Sequence, residues 1–90
     1  RNFRRISMKK LLYFSAEWCE PCKQLDILMK ELSQENINVQ KVDVDTNPEA
    51  AEGFGIKTVP TVVLTVNDVD SGRKIGYNHK SMYIELYNQN

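Results

Sequence analysis

The sequence predicts one α/β domain in which a four-stranded mixed sheet is flanked by three helices. The first observation is a strand, a helix and a strand in that order near the start of the chain, which is typical of a right-handed parallel crossover. The second is a later pair of strands separated by turn residues, which indicates an antiparallel hairpin. The third is a length of 90 residues with 41% hydrophobic content, which suits a single core.

The first strand and the first helix meet at the two cysteines of the chain. Lys10 to Phe14 is a short apolar run with aromatic residues, which is typical of a buried strand. Apolar residues then recur at the spacing of one helix face, at Leu25, Leu28, Met29 and Leu32. Pro21 suits the first turn of that helix, because no backbone N–H is needed there. Cys19 is therefore expected at or just before the helix N-terminus.

A second strand and a short second helix follow. Val39, Val42 and Val44 alternate with polar residues, as they do in a strand. Asn47 directly before Pro48 predicts a helix start, because asparagine favours the N-cap and proline the first helical position. Two glycines shortly afterwards are expected to end this helix.

The remainder of the chain predicts a hairpin and a third helix. Thr61 to Val66 is rich in β-branched residues, which is typical of a buried strand. Turn-forming residues between Asn67 and Gly72 are expected to lead into a fourth strand at Arg73 to Ile75. From Lys80 onward, bulky residues fall on one helical face, at Met82, Tyr83, Leu86 and Tyr87.

Charge and length limit the partners and the domain organisation. Twelve lysines and arginines balance twelve aspartates and glutamates, so neither nucleic acid nor an anionic membrane is an expected partner. No apolar run approaches the roughly 18 to 20 residues that cross a bilayer. Met8 resembles a natural start, so residues 1–7 are interpreted as an upstream or added basic extension and residues 8–90 as the domain.

Cys19 and Cys22 carry the chemistry, because two intervening residues in a turn entering a helix bring the sulfurs within bridging distance and leave Cys19 accessible. The helix N-terminus lowers the pKa of Cys19 from about 8.5 and so favours the reactive thiolate. Cys19 is then the attacking group and Cys22 the resolving group of a dithiol–disulfide cycle. The bare spacing also occurs in half of a zinc site and in idle core cysteines. A zinc site needs four ligands, however, and the only obvious further ligand is His79, which is interpreted as a surface or capping residue.

The segment from Phe14 to Lys23 closely resembles the active-site segment of the thioredoxin family, in which W-C-G-P-C-K is the usual form. Further segments are similar to later landmarks of that family in the same order, namely Val42 to Asp45 with Asn47 and Pro48, Phe54 to Thr61, and Lys74 to Gly76. The resemblance implies a thioredoxin-like fold and a thiol-disulfide oxidoreductase that reduces protein disulfides.

The resemblance also implies which residues receive the substrate. Pro60 matches a cis-proline that faces the cysteines in the family, and an X–Pro bond adopts cis at modest cost. The Val59 backbone is then expected to be available to a substrate strand. Trp18, Gly76 and Tyr77 would complete a shallow apolar rim.

The chain departs from the family pattern in its start and at Glu20. The additional first strand and helix of full-length thioredoxins are expected to be missing, which brings the size nearer to that of glutaredoxins. Their usual Cys-Pro-Tyr-Cys segment differs from the one here, so glutathione is the weaker candidate reductant. Glu20 replaces a glycine, and its carboxylate either disfavours the thiolate of Cys19 or is an exposed residue suited to a first helical turn.

Proton transfer at the resolving cysteine is expected to differ as well. Tyr13 occupies the position of the family's buried aspartate, which is thought to accept the proton of Cys22. A phenol with an ordinary pKa of about 10 is a poor base, so Tyr13 is interpreted as a packing residue. Lys41 matches the lysine beside that aspartate and is expected to lack its carboxylate partner, which leaves water, with Glu17 or Lys41 nearby, to take the proton.

These inferences imply a cytoplasmic monomer with no metal and no cofactor other than the redox-active Cys19–Cys22 disulfide. Its expected partners are disulfide-containing proteins and, by resemblance alone, an NADPH-dependent flavin thioredoxin reductase that recharges it. Two alternatives stay open. One is a thioredoxin-fold binding module or scaffold without turnover, and the other is a glutaredoxin-like or isomerase activity.

Overall fold

A computed structural model describes residues 8–89 and confirms the predicted order of elements. The elements are β1 (Lys9–Ser15), α1 (Glu20–Gln34), β2 (Val39–Asp43), α2 (Pro48–Gly53), β3 (Thr61–Val66), β4 (Val69–Ile75) and α3 (Lys80–Asn88). The expectations for residues 1–7, and for a first strand and helix missing before them, lie outside the described residues.

The four strands form one sheet in the order β2-β1-β3-β4. β1 is parallel to β2, whereas it is antiparallel to β3, and β3 is antiparallel to β4. The sheet is therefore mixed, as the crossover and the hairpin predict. β1 lies inside the sheet and leads directly to the cysteines at its carboxyl end.

Helices pack on both faces of the sheet because apolar side chains alternate along the inner strands. On one face, α1 and α3 pack on β1 and β3 through completely buried residues, including Leu11, Leu25, Leu32, Leu64 and Tyr83. On the other face, Phe14 and Val63 pack against Ala51 of α2, with the Phe54 ring 5.7 Å from that of Phe14. Burying each large apolar side chain contributes about 1.5 to 3 kcal/mol, so the first cluster holds α1 and α3 on the sheet and the second holds α2.

The hairpin turn is shorter than the sequence suggests. β3 ends at Val66 and β4 begins at Val69, so Asn67 and Asp68 alone form the turn. Their φ angles of 53° and 68° lie in the left-handed region, which asparagine and aspartate tolerate and which a two-residue hairpin turn requires. The prediction that residues 70–72 belong to the turn is wrong, because β4 already includes them.

None of the helices within residues 8–89 has the length and apolar character needed to span a membrane.

Candidate active site

The topology brings three chain segments together at one end of the strands, beyond the carboxyl end of β1. β1 ends at Ser15, and α1 begins at Glu20, so the cysteines follow the carboxyl end of β1. Phe14 pairs with Thr61 in β3, and Thr61 pairs with Ile75 in β4. Residues just before β3 and just after β4 therefore lie beside the segment that carries the cysteines.

Cys19 occupies the N-cap of α1, as the sequence predicts. Its φ and ψ angles of −90° and 111° are extended, and its Sγ accepts a hydrogen bond from the backbone N–H of Cys22 at 3.2 Å. Pro21 is in the first turn, where its missing N–H costs nothing. Cys19 and Cys22 form a disulfide with their Cα atoms 5.2 Å apart. The sulfur of Cys19 thus sits at the positive end of the helix dipole.

The cysteines are less exposed than the sequence suggests. Cys19 is 4% exposed and Cys22 is 1% exposed, and both pack with Ala16, Val44 and Val59. The expectation of a freely accessible Cys19 is therefore wrong for the disulfide form. The physical reason is that its sulfur is bonded to Cys22 and turned towards the first N–H groups of the helix.

The predicted rim residues lie in the three segments just before Cys19, just before β3 and just after β4. Trp18 is 67% exposed, and its indole N–H donates to Asp45 Oδ2 at 2.8 Å. The peptide bond between Val59 and Pro60 is cis, and Val59 packs on the cysteine cluster. Pro60 is buried and its carbonyl accepts a hydrogen bond from the N–H that begins the loop after β4.

The loop after β4 is fixed to the segment before β3. Gly76 has a φ of 82°, which a glycine adopts without strain, and its N–H lies 2.8 Å from the Pro60 carbonyl oxygen. The Gly76 carbonyl accepts a hydrogen bond from the hydroxyl of buried Tyr83 at 3.1 Å. Tyr77 follows and is 49% exposed. An apolar ring is therefore presented to solvent on an anchored loop.

Glu20 lies in the first turn of α1 and forms an ion pair with Lys23 at 3.2 Å. Their side chains are 82% and 60% exposed, so solvent screens the pair, which contributes at most about 1 kcal/mol. The lysine offsets the negative charge that Glu20 adds beside Cys19. The arrangement is that of an exposed first-turn glutamate, one of the two interpretations that the sequence left open.

A carboxylate that the sequence analysis missed lies beside the resolving cysteine. The buried hydroxyl of Tyr13 is 2.8 Å from the Cys22 carbonyl oxygen and 2.8 Å from Asp26 Oδ1. Lys41 Nζ is 3.1 Å from the same oxygen of Asp26. The expectation that Lys41 lacks a carboxylate partner is therefore wrong, because α1 supplies one. The four-residue spacing from Cys22 to Asp26 on one helix was the signal that could have found it.

Burial raises the pKa of the Tyr13 phenol far above its ordinary value, and the charge of Asp26 raises it further. Tyr13 therefore stays protonated across the working range of most proteins and donates its hydrogen bond. The sequence analysis interpreted Tyr13 as a packing residue, and the structure adds that its hydroxyl also forms hydrogen bonds.

A cavity of about 270 Å³ opens beside this group. Its lining includes Ala16 and the charged side chains of Glu17, Lys23, Asp26, Lys41 and Asp43. It therefore joins the loop before Cys19 to the polar group behind Cys22 and has the size and polarity to hold water. Among residues 8–89, no three histidine, cysteine, aspartate or glutamate side chains meet in a metal-binding group.

Comparisons with known proteins agree on one family. The family model described as Thioredoxin matches residues 2–88. The thioredoxin of Rickettsia bellii is 37% identical over 83 residues, which cover 89% of this chain and 79% of that protein. A mutant thioredoxin from Halobacterium salinarum superposes with a TM-score of 0.82 at 30% identity, covering 90% of this chain and 75% of that one. Malaria parasite thioredoxin-2 superposes with a TM-score of 0.84 at 28% identity, and the match covers 99% of this chain and 89% of that one.

Proposed function

The chain belongs to the thioredoxin family and is a thiol-disulfide oxidoreductase, and from this premise we propose that it reduces protein disulfides, with Cys19 attacking and Cys22 resolving. The observation that carries the assignment of roles is the position of Cys19 at the helix N-cap. Partial positive charge there stabilises a thiolate at Cys19. Cys22 lies inside the helix and is almost completely buried, which suits a group that reacts only within the protein.

The cycle transfers two electrons from the dithiol to the substrate. The Cys19 thiolate bonds to one substrate sulfur and breaks the substrate disulfide, so the other substrate sulfur leaves as a thiolate and takes up a proton. Cys22 then loses its proton, bonds to the Cys19 sulfur and breaks the mixed disulfide. The second substrate thiol leaves, and the Cys19–Cys22 disulfide remains.

The substrate is an extended polypeptide that lies across the rim formed by Trp18, Val59, Pro60, Gly76 and Tyr77. The exposed rings of Trp18 and Tyr77 support this proposal, because aromatic side chains supply contact area for sequence-tolerant binding. Val59 precedes β3 outside any strand, so its backbone is positioned to pair with a substrate strand.

We assign reduction of the Cys19–Cys22 disulfide to an NADPH-dependent flavin reductase in a reducing cytoplasm. The protein acts as a monomer and carries no metal or cofactor beyond its disulfide. Soluble disulfide reductants need such an electron source, because the oxidised pair is spent after one turnover. Oxidation of NADPH by a bacterial thioredoxin reductase in the presence of this protein tests the partner. Size-exclusion chromatography tests the monomer.

Reduction of insulin by dithiothreitol, followed as turbidity, tests the function. The wild-type protein is expected to accelerate it and Cys19→Ser to abolish the acceleration. Cys22→Ser is expected to accumulate a mixed disulfide with the substrate, which mass spectrometry detects. Turnover that survives Cys19→Ser, or a mixed disulfide trapped on Cys22 in the Cys19→Ser variant, contradicts the assigned roles.

The direction of the reaction has a separate test, because an oxidase or isomerase uses the same two sulfurs. The dithiol–disulfide equilibrium with glutathione gives the reduction potential of the pair. A value near about −270 mV is expected for a reductant, whereas a value near about −120 mV marks an oxidant. Loss of all insulin turnover in correctly folded wild-type protein would instead favour the binding-module alternative, for which the low exposure of Cys19 is the supporting observation.

A further inference from the structure

An oppositely charged pair lies beside the resolving cysteine, one member on α1 and the other on β2. We propose that the charge of Asp26 sets the pH at which the reduced Cys22 thiol ionises, and that Lys41 acts in the opposite direction. The consequence for turnover rests on the function proposed above, whereas the titration that tests the proposal does not.

Helix geometry brings the carboxylate to the cysteine. Cys22 and Asp26 are four residues apart in α1 and so lie on the same face, one turn apart. Helical side chains lean towards the N-terminus, which brings the carboxylate of Asp26 back towards Cys22. The position of Asp26 Oδ1 agrees with this, because it lies 2.8 Å from a Tyr13 hydroxyl that is itself 2.8 Å from the Cys22 carbonyl oxygen.

The carboxylate is held in place from two other elements. The Tyr13 hydroxyl on β1 donates to it, and the Lys41 ammonium on β2 pairs with the same oxygen at 3.1 Å. The Asp26 side chain is 40% exposed and that of Lys41 55%, so both groups also reach water. Tyr13 is buried and remains a neutral donor. The charges closest to the hydroxyl group of Tyr13 are therefore one negative and one positive.

Other charged groups face the same region as Asp26 and Lys41. The cavity beside Asp26 and Lys41 is also lined by Glu17, Lys23 and Asp43, and the groove on the other side of Asp26 is lined by Lys30. Lys23 is engaged by Glu20 at 3.2 Å. Of the charged groups named here, Asp26 is the one that shares a hydrogen-bonding partner, the Tyr13 hydroxyl, with Cys22.

The charge matters because Cys22 must lose a proton before it can attack the mixed disulfide. That proton passes to water in the adjoining cavity, the Cys22 sulfur bonds to Cys19, and the substrate sulfur leaves with its electron pair and is protonated by water. A neighbouring negative charge disfavours the thiolate, and a positive charge favours it. The resolving rate therefore follows the balance between Asp26 and Lys41.

Two substitutions separate charge from structure, because they are expected to act with opposite signs. Asp26→Asn keeps an acceptor for Tyr13 but removes the negative charge, so Cys22 should ionise at lower pH. Lys41→Gln leaves the carboxylate unopposed, so Cys22 should ionise at higher pH. The double variant should titrate close to the wild-type protein. Local loosening of the helix would move both single variants in the same direction.

The experiment uses the full chain with Cys19→Ser, in which Cys22 is the only thiol, and follows the ultraviolet absorbance of its thiolate against pH. We expect Asp26→Asn to lower the midpoint by about half a pH unit, the effect of a unit charge about 6 Å away in water-like surroundings. Lys41→Gln should raise the midpoint. Glu31→Gln is the matched control. It removes a carboxylate further along the same helix, where Glu31 pairs with Lys80 at 3.4 Å, and should leave the midpoint unchanged.

Shifts of the same sign, or no shift in either variant, overturn the proposal. Asp26→Glu and Lys41→Arg keep the charges and should titrate like the parent, so they decide the matter if a neutral variant folds poorly by circular dichroism. Failure of the wild-type protein to reduce insulin, combined with opposite shifts here, would refute the proposed function and leave this inference standing.

Discussion

Replacing Tyr13 with phenylalanine is expected to remove one buried hydroxyl and little else. The hydroxyl is 2.8 Å from Asp26 Oδ1 and from the Cys22 carbonyl oxygen, and the residue is 1% exposed. Asp26 keeps its ion pair with Lys41 and reaches water, so it is not left without a partner. We therefore expect Tyr13→Phe to lower the free energy of unfolding by about 1.5 kcal/mol at neutral pH.

This loss should shrink in alkaline solution. Since burial raises the pKa of Tyr13 in the folded protein above the unfolded value of about 10, its contribution to stability is complete below that value and declines as the pH rises above it. At one pH unit above, ionisation of Tyr13 in the unfolded state costs the wild-type protein about 1.4 kcal/mol. The wild-type protein and Tyr13→Phe should then be nearly equal in stability.

Urea unfolding of the oxidised proteins between neutral pH and about pH 11, followed by circular dichroism, measures this difference. Tyr77→Phe is the matched control, because it removes a hydroxyl from a ring that is 49% exposed. A constant difference between the wild-type protein and Tyr13→Phe across this range would show that the buried phenol ionises as readily as a free one, which refutes the reasoning.

Three further substitutions probe the core, the rim and the hairpin. Leu25→Ala removes a completely buried side chain and should lower the free energy of unfolding by about 3 kcal/mol in urea; a loss below about 1 kcal/mol contradicts the packing described. Asp45→Ala frees the indole of the single tryptophan, Trp18, so its fluorescence anisotropy should fall while stability changes by less than about 1 kcal/mol; unchanged anisotropy contradicts that contact. Gly72→Ala adds a Cβ 3.2 Å from a leucine methyl of α3 at a φ of +136°, and should cost about 1 to 3 kcal/mol in urea. Gly53→Ala, with nothing within 4 Å of the new Cβ, should cost nothing; equal losses at the two glycines refute the argument.

The apolar spacing in the sequence was sufficient to predict α1 and α3, whereas α2 was predicted from Asn47 and Pro48. The i, i+3, i+4, i+7 pattern from Leu25 onward follows α1 because the buried face of the helix has that period. The start of β4 was misplaced because Asp70 and Gly72 are common turn residues. Their pairing with β3 depends on how tightly Asn67 reverses the chain, and only backbone angles show that.

The part of the candidate site that was predictable is the part whose reactive residues lie close together in the sequence. The spacing of Cys19 and Cys22, with Pro21 between them, indicates a helix N-terminus and a bridged pair. Asp26 was missed because its importance depends on Lys41, which lies on a different element and reaches it only in the folded chain. The low exposure of Cys19 was also beyond the sequence, since it depends on which way the side chain turns at the N-cap.

The N-cap position of Cys19 makes one atom responsible both for reacting and for holding the first turn of α1. A substitution that removes the reactive sulfur should therefore keep a side-chain atom that accepts the hydrogen bond from the Cys22 N–H. Serine has a suitable oxygen, whereas alanine would add a penalty of about 1 kcal/mol from an uncapped helix. An inactive variant made with alanine would combine the loss of the reaction with a destabilised first turn of α1, whereas the serine variant keeps the two effects apart.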